Sequence, residues 1–260
     1  MKISQLKSFK HSGEKITCLT AYDASFAETF DNCGVDIILV GDSLGNVVQG
    51  AQDTLSVSMD DMYYHTKNVA NGSQRALIIA DLPSKSYANP QQTLMNASRL
   101  IDAGAHMVKF EGGREHEESF KVLKDSNIPV CGHLGLLPQS VLEYGGYKVQ
   151  GKDQQSADRI TEDAVMLESW GVEVIVLECI PSQLASVISK KLEIPTIGIG
   201  AGVECDGQVL VSYDMLGINQ KKHPRFVKNF LNSAVDISSA VDEYIVAVKS
   251  KSFPAKEHTY

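Results

Sequence analysis

Six times along the chain a short apolar run stops at a titratable side chain. Residues 35–40 lead through Gly41 to Asp42, residues 76–80 to Asp81, residues 107–110 to Glu111, residues 130–132 to His133, residues 174–177 to Glu178 and residues 211–213 to Asp214. Runs this short, rich in β-branched residues and without polar alternation, read as parallel strands buried on both faces. Parallel strands finish on the same side, so their terminal polar groups share one rim. Helical patterns lie between them: residues 24–33 closed by Gly34, 59–69 behind Ser58, 90–103 opened by Pro90 and stopped by Gly104, 115–124, 153–170 closed by Gly171, and 183–192 behind Ser182. Further strands are expected at 16–21, 196–199 and 208–211, and a last helical stretch at 225–248. About eight β/α alternations with no break in composition predict an α/β fold, a (β/α)8 TIM barrel in one domain over residues 1–260. A doubly wound sheet is the alternative, because strand order is not written in one sequence.

Composition narrows the function classes. A net charge of −8 over 260 residues argues against a broad nucleic-acid or anionic-membrane surface, while leaving room for a local basic pocket. Five cysteines, scattered and without a C-x-x-C pair, suggest reduced thiols. Residues 1–15 are polar and basic, with no signal-peptide core, and no apolar run approaches the ~20 residues that span a bilayer. These features lead us to expect a soluble, cytoplasmic protein.

The chemistry should lie where the strands end. The polar residues there are Asp42, Ser43, Asp81, Lys109, Glu111, His133 and Glu178. Lys109 and Glu111 are two apart, so strand alternation aims both to one side. Three carboxylates, with no histidine or cysteine pair at zinc spacing, suit a hard divalent cation such as Mg²⁺, which needs only one or two direct carboxylates and keeps waters. Each residue also has a plainer reading. An Asp after a strand is often a turn former, Lys109 and Glu111 could be an ion pair, and His133 could be a satisfied buried histidine. Glu178, among apolar neighbours, would have a raised pKa, as a general base does; otherwise it would pair with a lysine. Asp214 reads as a cap of the following turn, Tyr22 as packing and Cys131 as core. The run Gly198-Ile199-Gly200-Ala201-Gly202 could hold a phosphate or admit a flat ligand. The long segment 135–152, with Tyr144-Gly145-Gly146-Tyr147-Lys148-Val149-Gln150-Gly151, reads as a functional loop.

Several linked stretches come in the order and spacing of one family: Gly41-Asp42-Ser43-Leu44-Gly45, Ala80-Asp81-Leu82-Pro83, Val108-Lys109-Phe110-Glu111-Gly112-Gly113, Cys131-Gly132-His133-Leu134-Gly135, the 145–151 loop, Leu177-Glu178-Cys179-Ile180-Pro181 and the Gly198–Gly202 run. Over nearly its whole length the chain resembles the ketopantoate hydroxymethyltransferase family. The resemblance implies Mg²⁺ held by Asp42 and Asp81 with Glu111 reaching it through water. It implies a 2-oxo acid contacted by Asp42, Ser43, Asp81 and Lys109 with His133 close by, and Glu178 as proton acceptor. It also implies 5,10-methylenetetrahydrofolate as co-substrate, 2-dehydropantoate as product in pantothenate synthesis, and a homo-oligomer, often a decamer. The chain departs from the family pattern at Ser84-Lys85, Leu55-Ser56-Val57-Ser58 and Val211-Ser212-Tyr213, beside the chemistry. Two rivals are a Mg²⁺-dependent 2-oxo-acid C–C lyase, of the phosphoenolpyruvate-mutase kind, and a binding module without catalysis.

Overall fold

Strand by strand, the apolar runs pair in parallel with their sequence neighbours, and the last pairs with the first. The computed structural model describes residues 1–142, 145–218 and 223–260. Its sheet is a closed barrel in sequence order, with Ile16 beside Gly207 where the eighth strand meets the first. That pairing removes the two free edges a doubly wound sheet would keep, so the barrel expectation holds.

The chain enters through helix α1 (Ile3–Ser12), which a polar lead-in did not lead us to expect. Ile3, Leu6 and Phe9 repeat every third residue. Leu6 is fully buried, and Lys10 reaches across to Asp206 at 2.8 Å. Strand β1 (Ile16–Thr20), helix α2 (Ala24–Cys33) and strand β2 (Ile37–Val40) follow. Asp23 caps α2 by accepting from the Phe26 N–H, and Gly34 ends it with a left-handed φ of +98°. The stretch after β2 contains a short helix, α3 (Leu44–Val47), before α4 (Met59–Gly72), which opens with a reciprocal Ser58–Asp61 capping box.

Strand β3 (Leu77–Asp81), helix α5 (Pro90–Asp102), strand β4 (Met107–Glu111), helix α6 (Glu117–Asp125) and strand β5 (Val130–Gly135) form the middle of the barrel. Helix α7 (Gln154–Ser169), capped by Asp153, leads to β6 (Val174–Glu178) and α8 (Ser182–Lys191). Ser182 is not the cap expected of it. Pro181 holds that position, and the Ser182 hydroxyl turns to Gln183 instead. Strands β7 (Thr196–Ile199) and β8 (Gly207–Leu210) have no helix between them. Seven extended residues reach about 23 Å, enough to run back along a strand of about 13 Å without one. After β8 come the short helix α9 (Ser212–Met215) and α10 (Ile237–Lys249). The helix expected from residue 225 therefore starts later. Asn229 accepts the Leu231 N–H in an Asx turn, and Asp236 caps the true start through Ser239. Strands β1 to β5 and β7 and β8 are buried almost throughout, and Glu178 at the end of β6 is partly open. Among the described residues no helix is long and apolar enough to cross a membrane.

Candidate active site

Register fixes the first half of the site. Asp81 ends β3 opposite Lys109 on β4, and Glu111, two residues on, sits opposite His133 on β5. Lys109 and Glu111 therefore line the same cavity, as alternation predicts, but they do not pair with each other. Lys109 Nζ lies 2.9 Å from Asp81 Oδ1, and Glu111 Oε1 lies 3.4 Å from His133 Nδ1. Asp42 stands just beyond β2, where its N–H donates to Asp81 Oδ2 (3.1 Å). At Gly41 a Cβ would stand 2.7 Å from the Ser43 hydroxyl, so the missing side chain leaves room for Ser43 to turn back against this strand end. Glu178 closes the ring from β6, its Oε2 3.2 Å from His133 Nε2. Its neighbour is thus a histidine, not the lysine or the purely apolar wall considered from sequence. The chain turns away directly after it, with Cys179 in the left-handed region (φ +48°), bonded through its N–H to Ile199 O and through its carbonyl to the Gln150 N–H.

Burial sets the electrostatics. Asp42, Asp81, Lys109, Glu111 and His133 are all under 5% exposed. Burial, then the charges of Asp81 and Glu111, push the Asp42 carboxyl up to about 8. Burial also raises Asp81, against the pull of Lys109. For Lys109, burial works against the charge, but the carboxylates of Asp81, Glu111 and Asp42 outweigh it and raise its pKa. His133 is lowered by burial and by Lys109, yet the close carboxylates of Glu111 and Glu178 outweigh both and push it up to about 9. Cys131 is core: it is 1% exposed, and burial pushes its thiol up to about 12.

These side chains share a cavity of about 590 Å³ with groups that sequence reasoning did not single out. Gln139, from the turn after β5, ties several of the lining residues together. Its side-chain amide donates to Asp42 Oδ2 (2.8 Å) and Leu82 O (3.1 Å), its main-chain N–H donates to Glu111 Oε2 (3.0 Å), and its Oε1 accepts from the Tyr87 hydroxyl (2.6 Å). Tyr22, expected as packing, is buried and its hydroxyl bonds the Ser43 hydroxyl at 2.9 Å. Asp214, expected as a cap of the following turn, lies inside α9, lines the cavity and faces His223 at 3.5 Å. The glycine run is taken up by the protein's own packing: Gly198 faces Cys205, and Gly200 (φ +62°) faces Phe226 and Tyr260. Tyr147 and Val149 of the long loop reach the cavity, whereas Tyr144 lies outside the described residues.

The donor set suits a hard cation. Asp81 Oδ1, Glu111 Oε1 and His133 Nε2 are buried beside charged neighbours, yet none makes a well-angled hydrogen bond. Among the described residues, no three His, Cys, Asp or Glu side chains form a ready-made cage. Mg²⁺ does not ask for one, since it binds through one or two carboxylates and fills its octahedron with water and substrate. Asp42 and Asp81, linked through the Asp42 N–H, are two carboxylates that could serve as such a pair.

With this geometry in view, the comparisons with known proteins are specific. A profile described as ketopantoate hydroxymethyltransferase matches residues 1–256. The chain is 66% identical over 260 residues to the 3-methyl-2-oxobutanoate hydroxymethyltransferase of Ruthia magnifica subsp. Calyptogena magnifica, covering 100% of both chains. It is 54% identical over 257 residues to that of Shewanella piezotolerans, covering 99% of this chain and 97% of the other. Among solved structures it resembles phosphoenolpyruvate phosphomutase from Streptomyces platensis subsp. rosaceus, with a TM-score of 0.64 at 14% identity over 84% of each chain. That last likeness is one of fold.

Proposed function

Because this chain belongs to the ketopantoate hydroxymethyltransferase family, we propose that its rim transfers a hydroxymethyl group to 3-methyl-2-oxobutanoate, with 5,10-methylenetetrahydrofolate as donor and Mg²⁺ as cofactor. The observation that carries this reading is the convergence of Asp42, Asp81, Glu111, Lys109, His133 and Glu178 on one buried cavity. Balanced, the reaction removes the C3 proton, forms a bond from C3 to the methylene carbon and breaks that carbon's two bonds to nitrogen. Water supplies the hydroxyl and the second proton, so tetrahydrofolate and 2-dehydropantoate leave.

Held by Asp42 and Asp81, with Glu111 through water, Mg²⁺ would supply a Lewis acid for the keto and carboxylate oxygens of the acid. The protein's own part is larger. Lys109, buried and charged, stands where negative charge develops as C3 loses its proton, in a site with little water. Glu178 is the group in this ring that keeps some exposure, so it is free to take the proton from a ligand in the cavity. His133 orients it and shares the proton's charge. The 145–151 loop, tied to β6 by Gln150 and bringing Tyr147 and Val149 to the cavity, closes over the reactants. The same reading carries self-association as a homodecamer, a place in pantothenate synthesis and a cytoplasmic location. The lyase or mutase alternative rests on fold alone, and Cys131, the thiol considered for it, is buried.

In D₂O, with Mg²⁺ and 3-methyl-2-oxobutanoate but no folate, the protein should exchange the C3 proton, read by loss of its NMR signal. Glu178→Gln should slow that exchange by a factor of about 10² or more. Undiminished exchange in the variant would remove Glu178 as the base. Release of a cleaved product without folate would favour the lyase.

A further inference from the structure

The acid end of the cavity accounts for only part of it. A five-carbon 2-oxo acid, at roughly 30 Å³ for each non-hydrogen atom, fills less than half of the 590 Å³ available. The remaining wall is largely apolar and includes Tyr260, which belongs to a segment, residues 253–260, that no sequence motif singled out. Three independent ties hold this segment in place. Phe253 is 3% exposed and packs on Phe230 and Tyr244. Arg225 donates to the carbonyls of Glu257 (2.9 Å) and Lys256 (3.4 Å). The Ser182 N–H donates to Tyr260 O at 3.0 Å.

The result of these ties is that the Tyr260 ring faces the cavity. Arg225 stands over the ring, 5.9 Å from its centroid. At its edge lies Gly200, where a Cβ would come 3.1 Å from Tyr260 Cε2 and 2.9 Å from Phe226, so the missing side chain lets both rings lie against the end of β7. An aromatic ring held at the cavity wall together with a guanidinium suits a flat, electron-rich ring carrying an anionic tail.

We propose that residues 253–260 act as a strap completing the donor end of the site, with Tyr260 the specificity-determining surface on which the bicyclic ring of the folate co-substrate stacks. This rests on the functional reading above, whose acid end it extends. Gly200 positions that surface. The Tyr260 hydroxyl is not required; the ring is.

The test is titration of tetrahydrofolate into the full-length protein by calorimetry, beside the C3 exchange assay, for wild type, Tyr260→Ala and Tyr260→Phe. Tyr260→Ala should weaken tetrahydrofolate binding by roughly tenfold and raise the donor KM alike, while the KM for the acid and folate-free C3 exchange stay as in wild type. Tyr260→Phe should recover donor affinity to within about twofold, since stacking needs the ring alone. Unchanged donor affinity in Tyr260→Ala, with exchange intact, overturns the proposal. So does loss of exchange together with donor affinity in that variant, which would make the strap a structural support of the whole rim. A wild type that exchanges C3 but does not bind tetrahydrofolate also overturns it and leaves the acid end standing. Folate binding that depends on Tyr260 without any C3 exchange does the reverse: it supports the strap and removes the proposed base.

Discussion

Gln139 joins groups that come from three different strand ends. It bonds Asp42, Glu111 and the carbonyl of Leu82 at once, so it fixes the spacing of two carboxylates that would otherwise repel each other. Replacing it by leucine, of similar size, keeps the packing and leaves buried acceptors without donors, a loss of about 1–3 kcal/mol. Gln139→Leu should therefore lower kcat/KM for the 2-oxo acid by roughly tenfold to a hundredfold, with the donor KM little changed. Equal kinetics in the two proteins would reduce Gln139 to a filler. Why sequence reading found the acids and not this amide is physical. Asp42, Asp81, Glu111, His133 and Glu178 each follow an apolar run, and a parallel strand's end is a place that a period can locate. Gln139 sits in a loop after Pro138, where no period operates and only contact with distant residues reveals its use. Tyr260 and Arg225 were hidden for the same reason.

Among elements, the joint between α2, α4 and β3 shows how a single side chain sets an angle. Asp31, in the last turn of α2, accepts the N–H groups of Ala76 (2.6 Å), Arg75 (3.0 Å) and Gln74 (3.1 Å) and the Ser73 hydroxyl (3.0 Å). The loop leading into β3 is thereby pinned, and β3 carries Asp81. Burial disfavours the Asp31 charge, but these hydrogen bonds outweigh it and hold the carboxyl below its ordinary range. A depressed folded pKa stabilises the fold at pH above the unfolded value of about 3.9, and that stabilisation is lost as pH falls through the folded pKa. Asp31→Asn should thus lower stability by about 1–3 kcal/mol near neutrality, with the gap to wild type narrowing below about pH 4. Melting curves at pH 7, 5 and 3 read this directly, and a gap that widens in acid would contradict it. Elements with strong punctuation were legible in advance: α2 with Asp23 and Gly34 was placed to the residue, and so was β7. Helix α1 was missed because its threefold apolar spacing is sparse among charges. The start of α10 was misplaced because apolar residues recur through 225–236 although Asn229 and Asp236 impose turns there.

At the scale of the whole molecule, the barrel gathers charges that folding alone would keep apart. Three carboxylates, Asp42, Asp81 and Glu111, are buried at one end of the sheet with Lys109 and His133 as their near cations, in a chain whose net charge is already −8. Like charges brought together in low dielectric weaken the folded state, and a divalent cation would relieve them. Binding to the folded state alone adds RT ln(1 + [L]/Kd), about 2.7 kcal/mol at a hundredfold excess over Kd. For a chain of this size each kcal/mol moves the melting temperature by about 2–4 °C. Saturating Mg²⁺ should then raise the melting temperature of chelator-stripped protein by roughly 5–10 °C. Asp42→Asn and Asp81→Asn should lose that gain. In stripped form Asp42→Asn should melt no lower than stripped wild type, because a carboxyl that burial already holds protonated gives way to a neutral amide of the same shape. Asp81→Asn, by contrast, also takes the ion-pair partner from buried Lys109 and should melt lower. The second expectation separates a site from a scaffold. If Asp42 were held for stability, replacing it would loosen the barrel with or without metal; if it is held for an ion, stripped Asp42→Asn keeps its stability and loses only the response. A melting temperature indifferent to millimolar Mg²⁺ in wild type, with turnover unaffected by chelator, would end the case for a metal at this rim. A response that survives in both variants would move the metal elsewhere.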